Sequence, residues 1–375
     1  MRTQRHPLLS STIGTQRDIV SLHFGPDGRE HPGGRKAYIQ AALHADEPPG
    51  LLVATKLRER LGILEAEGKL KAEIVLVPVA NPIGLAQWID HSHIGRFELR
   101  QGDNFNRHYP DLAAAVAAKV EGKLASDEGK NAALIRRALV ESAAEVHAVN
   151  ELESLRKTLL TLAADAEIAL DLHCDSEALM HLYTATPVWE RVEPLARYLG
   201  AAASLLETTS GDYPFDEACS RTWWQLREQF PDRPIPLGCI SVTVELRGAT
   251  DVDHALADMD AGAIIAYLTH QGLIDLPVPR LPGLIAPATP LAGSEPIVAP
   301  HSGVVAFRAT LGQVMHAGDP VADVIDPLTG TTTTLKATTG GILYARENRR
   351  FAYAGMRLAK IAGATAFRSG KLLSE

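Results

Sequence analysis

Hydrophobic positions follow two rhythms that alternate through roughly the first 275 residues. Short apolar runs bounded by breakers read as buried strands. Spacing near 3.6 residues reads as helices, and the alternation predicts an α/β domain. KAYIQAAL (36–43) is a short apolar strand ending at His44, and PGLLVATKLRERL (49–61) follows with helical periodicity behind a proline-rich start. EIVLVPVA (73–80) is an apolar strand that breaks at Asn81-Pro82. From Asp111 to about Ala164, Ala, Glu, Lys and Leu dominate, which predicts a long helical excursion. EIALDLH (167–173) and ALMHLYT (178–184) read as strands, and 189–199 as a helix. CISVTVEL (239–246) is a central strand, and HALADMDAGAIIAYLTHQG (254–272) a closing helix.

The rhythm stops at 276, where the stretch to 300 holds seven prolines and no helical pattern. We expect an α/β domain over 1–275, a proline-rich linker over 276–298 and a β domain over 299–375. The last part is an internal repeat. APHSGVVAFRATLGQVMHAGDPVADVI (299–325) aligns with ATTGGILYARENRRFAYAGMRLAKIAG (337–363), Gly303 matching Gly341 and Gly318 matching Gly355. Two such halves would make a small barrel or sandwich that resembles the biotinyl/lipoyl fold. The hairpin between them, DPLTGTTTTLK, has no lysine at its tip, and Lys336 comes too late. A swinging-arm carrier role is therefore not expected.

A net charge of −8 argues against nucleic acid or an anionic membrane as partner, since both need a basic surface. Three cysteines without CxxC spacing predict no disulfide framework and suit a reducing compartment. The N-terminal stretch lacks an apolar run of signal-peptide length, and AGAIIAYL (261–268) is too short to span a membrane. The expected location is the cytoplasm.

Candidate chemistry gathers at the predicted strand ends, the edge of an open α/β sheet where ligands bind. His44 and Glu47 lie in a loop after one strand, and His173 ends another. Two histidines and a glutamate make a three-ligand zinc site with an open position, the pattern of catalytic zinc. Asp171 shares a strand face with His173 and could orient its imidazole. Glu245 interrupts an apolar strand, either paired with Arg247 or poised as a base. Asn104-Phe105-Asn106-Arg107 offers donors that suit a carboxylate.

HADE (44–47), VANP (79–82), NFNR (104–107), DLH (171–173) and VTVEL (242–246) occur in the order seen in the zinc carboxypeptidase superfamily. Over residues 36–275 they most resemble its succinylglutamate desuccinylase/aspartoacylase branch, whose C-terminal β domain the appended repeat also resembles. The resemblance implies a zinc-carboxypeptidase-like mixed sheet flanked by helices. It implies one Zn²⁺ held by His44, Glu47 and His173, and Glu245 as general base. Asn106 and Arg107 would clamp a substrate carboxylate. The family supplies a further arginine for the oxyanion; both Arg96 and Arg100 lie in the right stretch, with Arg100 preferred. Where the family more often has glycine after the first histidine, this chain has Ala45.

The leading expectation is hydrolysis of the amide bond of an N-acyl amino acid or a similar small carboxylate-bearing amide. A carboxypeptidase acting on peptides is the alternative enzyme, and a non-catalytic zinc or ligand-binding protein the alternative of another class. His91-Ser-His93 is an unsupported ligand pair, His108 a candidate substrate contact, and Trp223-Trp224 core or pocket wall. The helical run 111–164 is a candidate subunit-contact or lid element, leaving room for a homo-oligomer.

Overall fold

The computed structural model describes residues 1–27 and 35–373. In chain order the larger part runs β1 (Arg2–Pro7), β2 (Asp18–Phe24), β3 (Lys36–Ala41), α1 (Pro49–Ala66), β4 (Glu73–Val77), α2 (Pro82–Leu85), the hairpin β5 (Trp88–Ile89) and β6 (Ser92–His93), α3 (Ala113–Val120), α4 (Glu128–Glu145), α5 (Glu151–Ala163), β7 (Ile168–Asp175), β8 (Glu177–Ala178), β9 (His181–Thr184), α6 (Trp189–Leu199), β10 (Ala203–Leu206), α7 (Phe215–Gln229), β11 (Ile240–Gly248) and α8 (His254–His270). The strands that follow are β12 (Thr289–Pro290), β13 (Ser294–Val298), β14 (Gly303–Phe307), β15 (Val314–Met315), β16 (Pro320–Ile325), β17 (Thr332–Lys336), β18 (Gly341–Arg346), β19 (Phe351–Ala352) and β20 (Arg357–Gly363).

A nine-stranded mixed sheet in the order β1-β2-β4-β3-β7-β11-β9-β10-β12 forms the spine. Its centre, β4-β3-β7-β11, is parallel. The pairs β1/β2, β2/β4 and β11/β9 are antiparallel. Strand alternation distributes its side chains. Ile39, Leu170, Leu172, Val242 and Val244 share one core with Val53 and Leu57 of α1, Leu195 of α6 and Ile264 of α8. Tyr38 and Ala169 point the other way, into a second core with Val116, Ile135, Leu155, Phe215 and Trp223 from α3, α4, α5 and α7. Asp171 and His173 alternate with Leu170 and Leu172, so they share this second face. Thr243 and Glu245, which alternate with Val242 and Val244, share it too.

The helical excursion is three helices. Asp127 accepts from Lys130 N to cap α4 and Asn150 accepts from Glu153 N to cap α5, each satisfying amide groups that would otherwise be orphaned. The segment read as one strand over 178–184 divides in two. β9 joins the main sheet, while β8 pairs with β18 of the C-terminal unit.

That unit packs the sheets β13-β20-β18-β15 and β17-β16-β14-β19. Its halves interlock, since β15 pairs with β18 and β19 with β14. A Cβ on Gly303 would meet Ile325 O at 2.5 Å, and one on Gly341 would meet Ala362 O at 2.1 Å. The matched glycines thus admit the same close backbone approach in each half. The proline-rich stretch is more than a linker. β12 extends the main sheet and β13 pairs with β20, so residues 294–298 belong to the β unit. Both strands lie at sheet edges, where Pro290 and Pro296 break no interior ladder.

Candidate metal centre

Strands β3 and β7 are parallel neighbours, so the loop after β3 and the end of β7 meet on one sheet edge. Asn81 shapes that loop from the next strand along: its Nδ2 donates to Leu43 O at 2.8 Å and its Oδ1 accepts from Gly84 N. Gly95 packs against the same loop. Gly95 O accepts from Ala45 N at 3.0 Å, and a Cβ on Gly95 would meet Asp46 N at 2.1 Å. Only glycine permits that approach, and it delivers the next residue, Arg96, to the site.

His44, Glu47 and His173 are buried, with ligand atoms all within 4.8 Å of one another. His44 Nδ1 lies 2.9 Å from Glu47 Oε1, and His173 Nδ1 lies 2.8 Å from Glu47 Oε2. The outer nitrogens face acceptors. His44 Nε2 sits 2.8 Å from Asn104 Oδ1, which also accepts from Asn106 N, so the amide oxygen is fixed in place. His173 Nε2 sits 2.9 Å from Asp171 Oδ2. Asp171 Oδ1 accepts from Gln40 Nε2, whose Oε1 accepts from Tyr38 OH. Arg96 Nη1 donates toward His44 Nδ1, which leaves the His44 Nε2–H to donate to Asn104 Oδ1. Two ring nitrogens and a carboxylate gathered in a buried space form a donor set that could hold a metal ion.

Burial would raise Glu47, yet the two imidazoles outweigh it and hold the carboxyl well below its ordinary range. Burial pulls His44 down to about 4, helped by the Arg96 charge. Burial opposes the charged form of His173 too, but Asp171 and Glu47 carry it well above the usual value.

Beside the cluster opens a solvent-connected cavity. Glu245 lines it, and one of its carboxylate oxygens is buried without a hydrogen-bond partner. Burial and the neighbouring Glu47 push Glu245 up to about 8. Its other sequence reading, pairing with Arg247, is not realised: Arg247 pairs with Asp260. Arg96 lines the cavity, with Nη1 3.2 Å from His44 Nδ1 and 3.3 Å from Glu47 Oε1. Arg100, preferred on sequence, does not line it. Its side chain is 55% exposed and pairs with Glu98. Asn106 and buried Arg107 both line the cavity, and Asn106 Oδ1 accepts from Phe215 N, which turns the amide nitrogen toward His173. Arg107 Nη1 donates to Asn106 O at 2.6 Å. Asp103 pairs with Arg156, and Asp111 lies 4.0 Å from Arg221.

Among the remaining candidates, His93 belongs to the β5–β6 hairpin, stacks on Trp88 and reaches Gly84 O. His108 is exposed, and Trp223 and Trp224 fill the two cores. Cys174 donates its backbone N–H to Glu47 Oε2. The sequence reading missed Asp216 and the β-unit residues Tyr344, Arg357, Lys360 and Arg368, all of which line the cavity. No motif flags them; α7 carries Asp216 to the site, and docking of the β unit brings the other four.

Fold and site together define a two-part α/β protein whose main sheet presents a buried His-Glu-His cluster to a cavity shared with an appended β unit. The family model for the succinylglutamate desuccinylase/aspartoacylase catalytic domain matches residues 33–271, and the chain belongs to this family of hydrolytic deacylases. It is similar to a succinylglutamate desuccinylase/aspartoacylase family protein of Shewanella amazonensis SB2B, at 28% identity and TM-score 0.83, over 96% of this chain and 98% of that one. A second such protein, from Shewanella frigidimarina NCIMB 400, is 25% identical over 96% and 97%, with TM-score 0.82. The ectoine utilization protein EutE (DoeB) of Ruegeria pomeroyi shares the fold at 15% identity, over 96% and 93%, with TM-score 0.68. None of the curated proteins matches the chain in sequence.

Proposed function

We propose that the chain is a zinc-dependent deacylase that hydrolyses the amide bond of an N-acyl amino acid or a similar small amide bearing a carboxylate. The observation that carries this is the convergence of His44, His173 and the Glu47 carboxylate beside an unpartnered Glu245 oxygen. Bound to His44, Glu47 and His173, zinc would supply Lewis acidity, polarising a carbonyl and bringing the pKa of water toward about 7. Asn104 and Asp171 face the outer nitrogens of His44 and His173 and orient the rings. Glu245 takes the proton of the attacking water and passes it to the leaving nitrogen. Arg96, beside His44 and Glu47, opposes the charge that grows on the carbonyl oxygen. Asn106 and Arg107 hold the substrate carboxylate, and the guanidinium groups of Arg357 and Arg368 add to an anion-favouring wall.

Walls supplied by the β unit narrow the space beside the cluster, which favours small amides over long peptides. A protein that only bound metal or ligand would gain nothing from a buried carboxylate oxygen without a partner. The three cysteines are buried and unpaired, which suits the cytoplasm as the proposed location. Among the described residues no helix is long and apolar enough to cross a membrane.

The test is metal analysis joined to a hydrolysis screen of N-acetyl, N-succinyl and N-formyl amino acids against dipeptides, with and without chelator. We expect about one zinc per chain, lost in His44→Ala and His173→Ala, and chelator-sensitive turnover of the acyl amino acids. Glu245→Gln should keep metal and fold yet lose about 10²- to 10⁴-fold in kcat. Full metal retention in either histidine variant, or a full rate in Glu245→Gln, would overturn the reading.

A further inference from the structure

Next to the metal-site cavity lies a second recess, and the two share Tyr183, Asp216, Leu291 and Leu373 in their walls. They differ in the sign of their charge. Arg96, Arg107, Arg357 and Arg368 line the cavity, whereas among the described residues no lysine or arginine lines the recess, to which Glu207 and Glu217 contribute. Leu205 adds to its apolar surface.

Glu217 stands in the first turn of α7 and is 6% exposed. Its Oε1 accepts from Ser210 N at 2.5 Å and from Ser210 Oγ. That link anchors the loop at Ser210, and a helix start favours an acid in its own right. Both reasons account for one oxygen and leave the other unexplained, because Oε2 is buried without a hydrogen-bond partner. Arg221, one turn along α7, is turned elsewhere, with its guanidinium 4.5 Å from the centre of the Tyr213 ring. Glu207 belongs to no helix start. It reaches the recess from just past the end of β10, with Oε1 accepting from Thr208 N at 2.9 Å.

A buried carboxylate oxygen is costly until a donor meets it, so the recess calls for a cationic ligand. A bare metal ion does not fit. Among the described residues only His44, Glu47 and His173 bring three ligand atoms within 4.8 Å of one another, and Glu207, Asp216 and Glu217 do not. Separated acids on a partly apolar wall suit an ammonium or guanidinium carried on an alkyl chain, the chain lying on the leucines and the head donating to the carboxylates.

We propose that the recess is a specificity subsite for a cationic side chain, so that the preferred substrates are N-acyl derivatives of basic amino acids. The proposal rests on the deacylase reading and names the substrate class within it. With the acyl group at the metal centre and the carboxylate on Arg107, the side chain passes Asp216 into the recess, where Glu217 Oε2 and Glu207 accept from its head.

The test compares Nα-acetyl-ornithine and Nα-acetyl-lysine with Nα-acetyl-norleucine, in which a methyl group replaces the ornithine ammonium, on the full, metal-loaded chain. The better basic substrate should exceed the norleucine compound in kcat/KM by about ten- to hundredfold, the scale of a charge-assisted contact. Glu217→Gln keeps an oxygen for Ser210 and places an amide at Oε2. It should bring that ratio to within about threefold of one, most of the loss falling on the basic substrates as a rise in KM. Glu207→Gln should remove a smaller part of the ratio, and it carries the test if Glu217→Gln does not fold. A parent ratio near one would overturn the proposal. So would a ratio that survives both variants, or equal losses for basic and neutral substrates, which is what a purely structural Glu217 would give. If no acyl amino acid is turned over, the deacylase reading falls, and calorimetric titration of the same three compounds decides the subsite by itself. Tighter binding of the basic compounds, lost in Glu217→Gln, would uphold it, and equal binding of all three would overturn it.

Discussion

Replacing Arg107 with lysine tests what the substrate must look like. Arg107 is 6% exposed, lines the cavity, and has Nη1 anchored to Asn106 O at 2.6 Å. Burial and the neighbouring Arg96 lower its pKa to about 10, so the guanidinium stays charged at neutral pH. A guanidinium matches a carboxylate with two parallel hydrogen bonds, whereas an ammonium offers a point charge. Losing a charge-assisted contact of this kind costs on the order of 1.5–3 kcal/mol, or roughly ten- to hundredfold in kcat/KM. Lysine also starts about two pKa units lower than arginine, and the same burial would draw it down toward the assay range. Its ammonium loses its proton as pH rises, so the variant's deficit should widen between pH 6.5 and 8.5 while the parent's clamp stays charged. The assay compares substrates bearing a free carboxylate with their amidated analogues in both proteins. Carboxylate substrates should lose most of their kcat/KM in Arg107→Lys, and the amidated analogues, poor from the start, should lose little more. Equal losses for both substrate types would show that the arginine is structural, and the case for a substrate carboxylate at this position would fall.

Two further outcomes follow from the geometry. Arg96→Ala should lower kcat about 10²- to 10³-fold, as the loss of an oxyanion donor does, whereas Arg100→Ala should change it by less than about twofold, since an exposed ion pair is worth little; the reverse ranking in steady-state kinetics would move the oxyanion role to Arg100. Burial, with Glu217 and Asp171 nearby, pushes Asp216 up to about 7. The folded state therefore keeps a proton that the unfolded chain releases above about 3.9, so this group's contribution falls as pH rises from about 4 to 7. Asp216→Asn should melt higher than the parent above pH 7 and gain nothing near pH 4; melting curves whose difference does not depend on pH would refute the assignment.

How much of this was legible in the chain depends on the range over which each feature is determined. The main-sheet strands that carry the site announce themselves locally, and the two-residue period puts Asp171, His173, Thr243 and Glu245 on one face once β7 and β11 are recognised. His44 and Glu47 could be read for the same reason, because a strand end followed by a helix start leaves only a short loop. Arg96 could not be separated from Arg100, since the choice turns on Gly95 pressing against Asp46, a contact between segments about fifty positions apart. The division of 178–184 and the strand at 294–298 were hidden similarly. β8 and β13 are strands only because β18 and β20 pair with them, and prolines that read as a linker fit edge positions without conflict. The repeat disclosed a two-halved β unit but not the face it turns to the α/β domain. Docking is a property of two surfaces, and no period along one of them records the other. Hence Lys360 looked like any polar residue of an alternating strand, although it pairs with Asp175, two residues beyond His173.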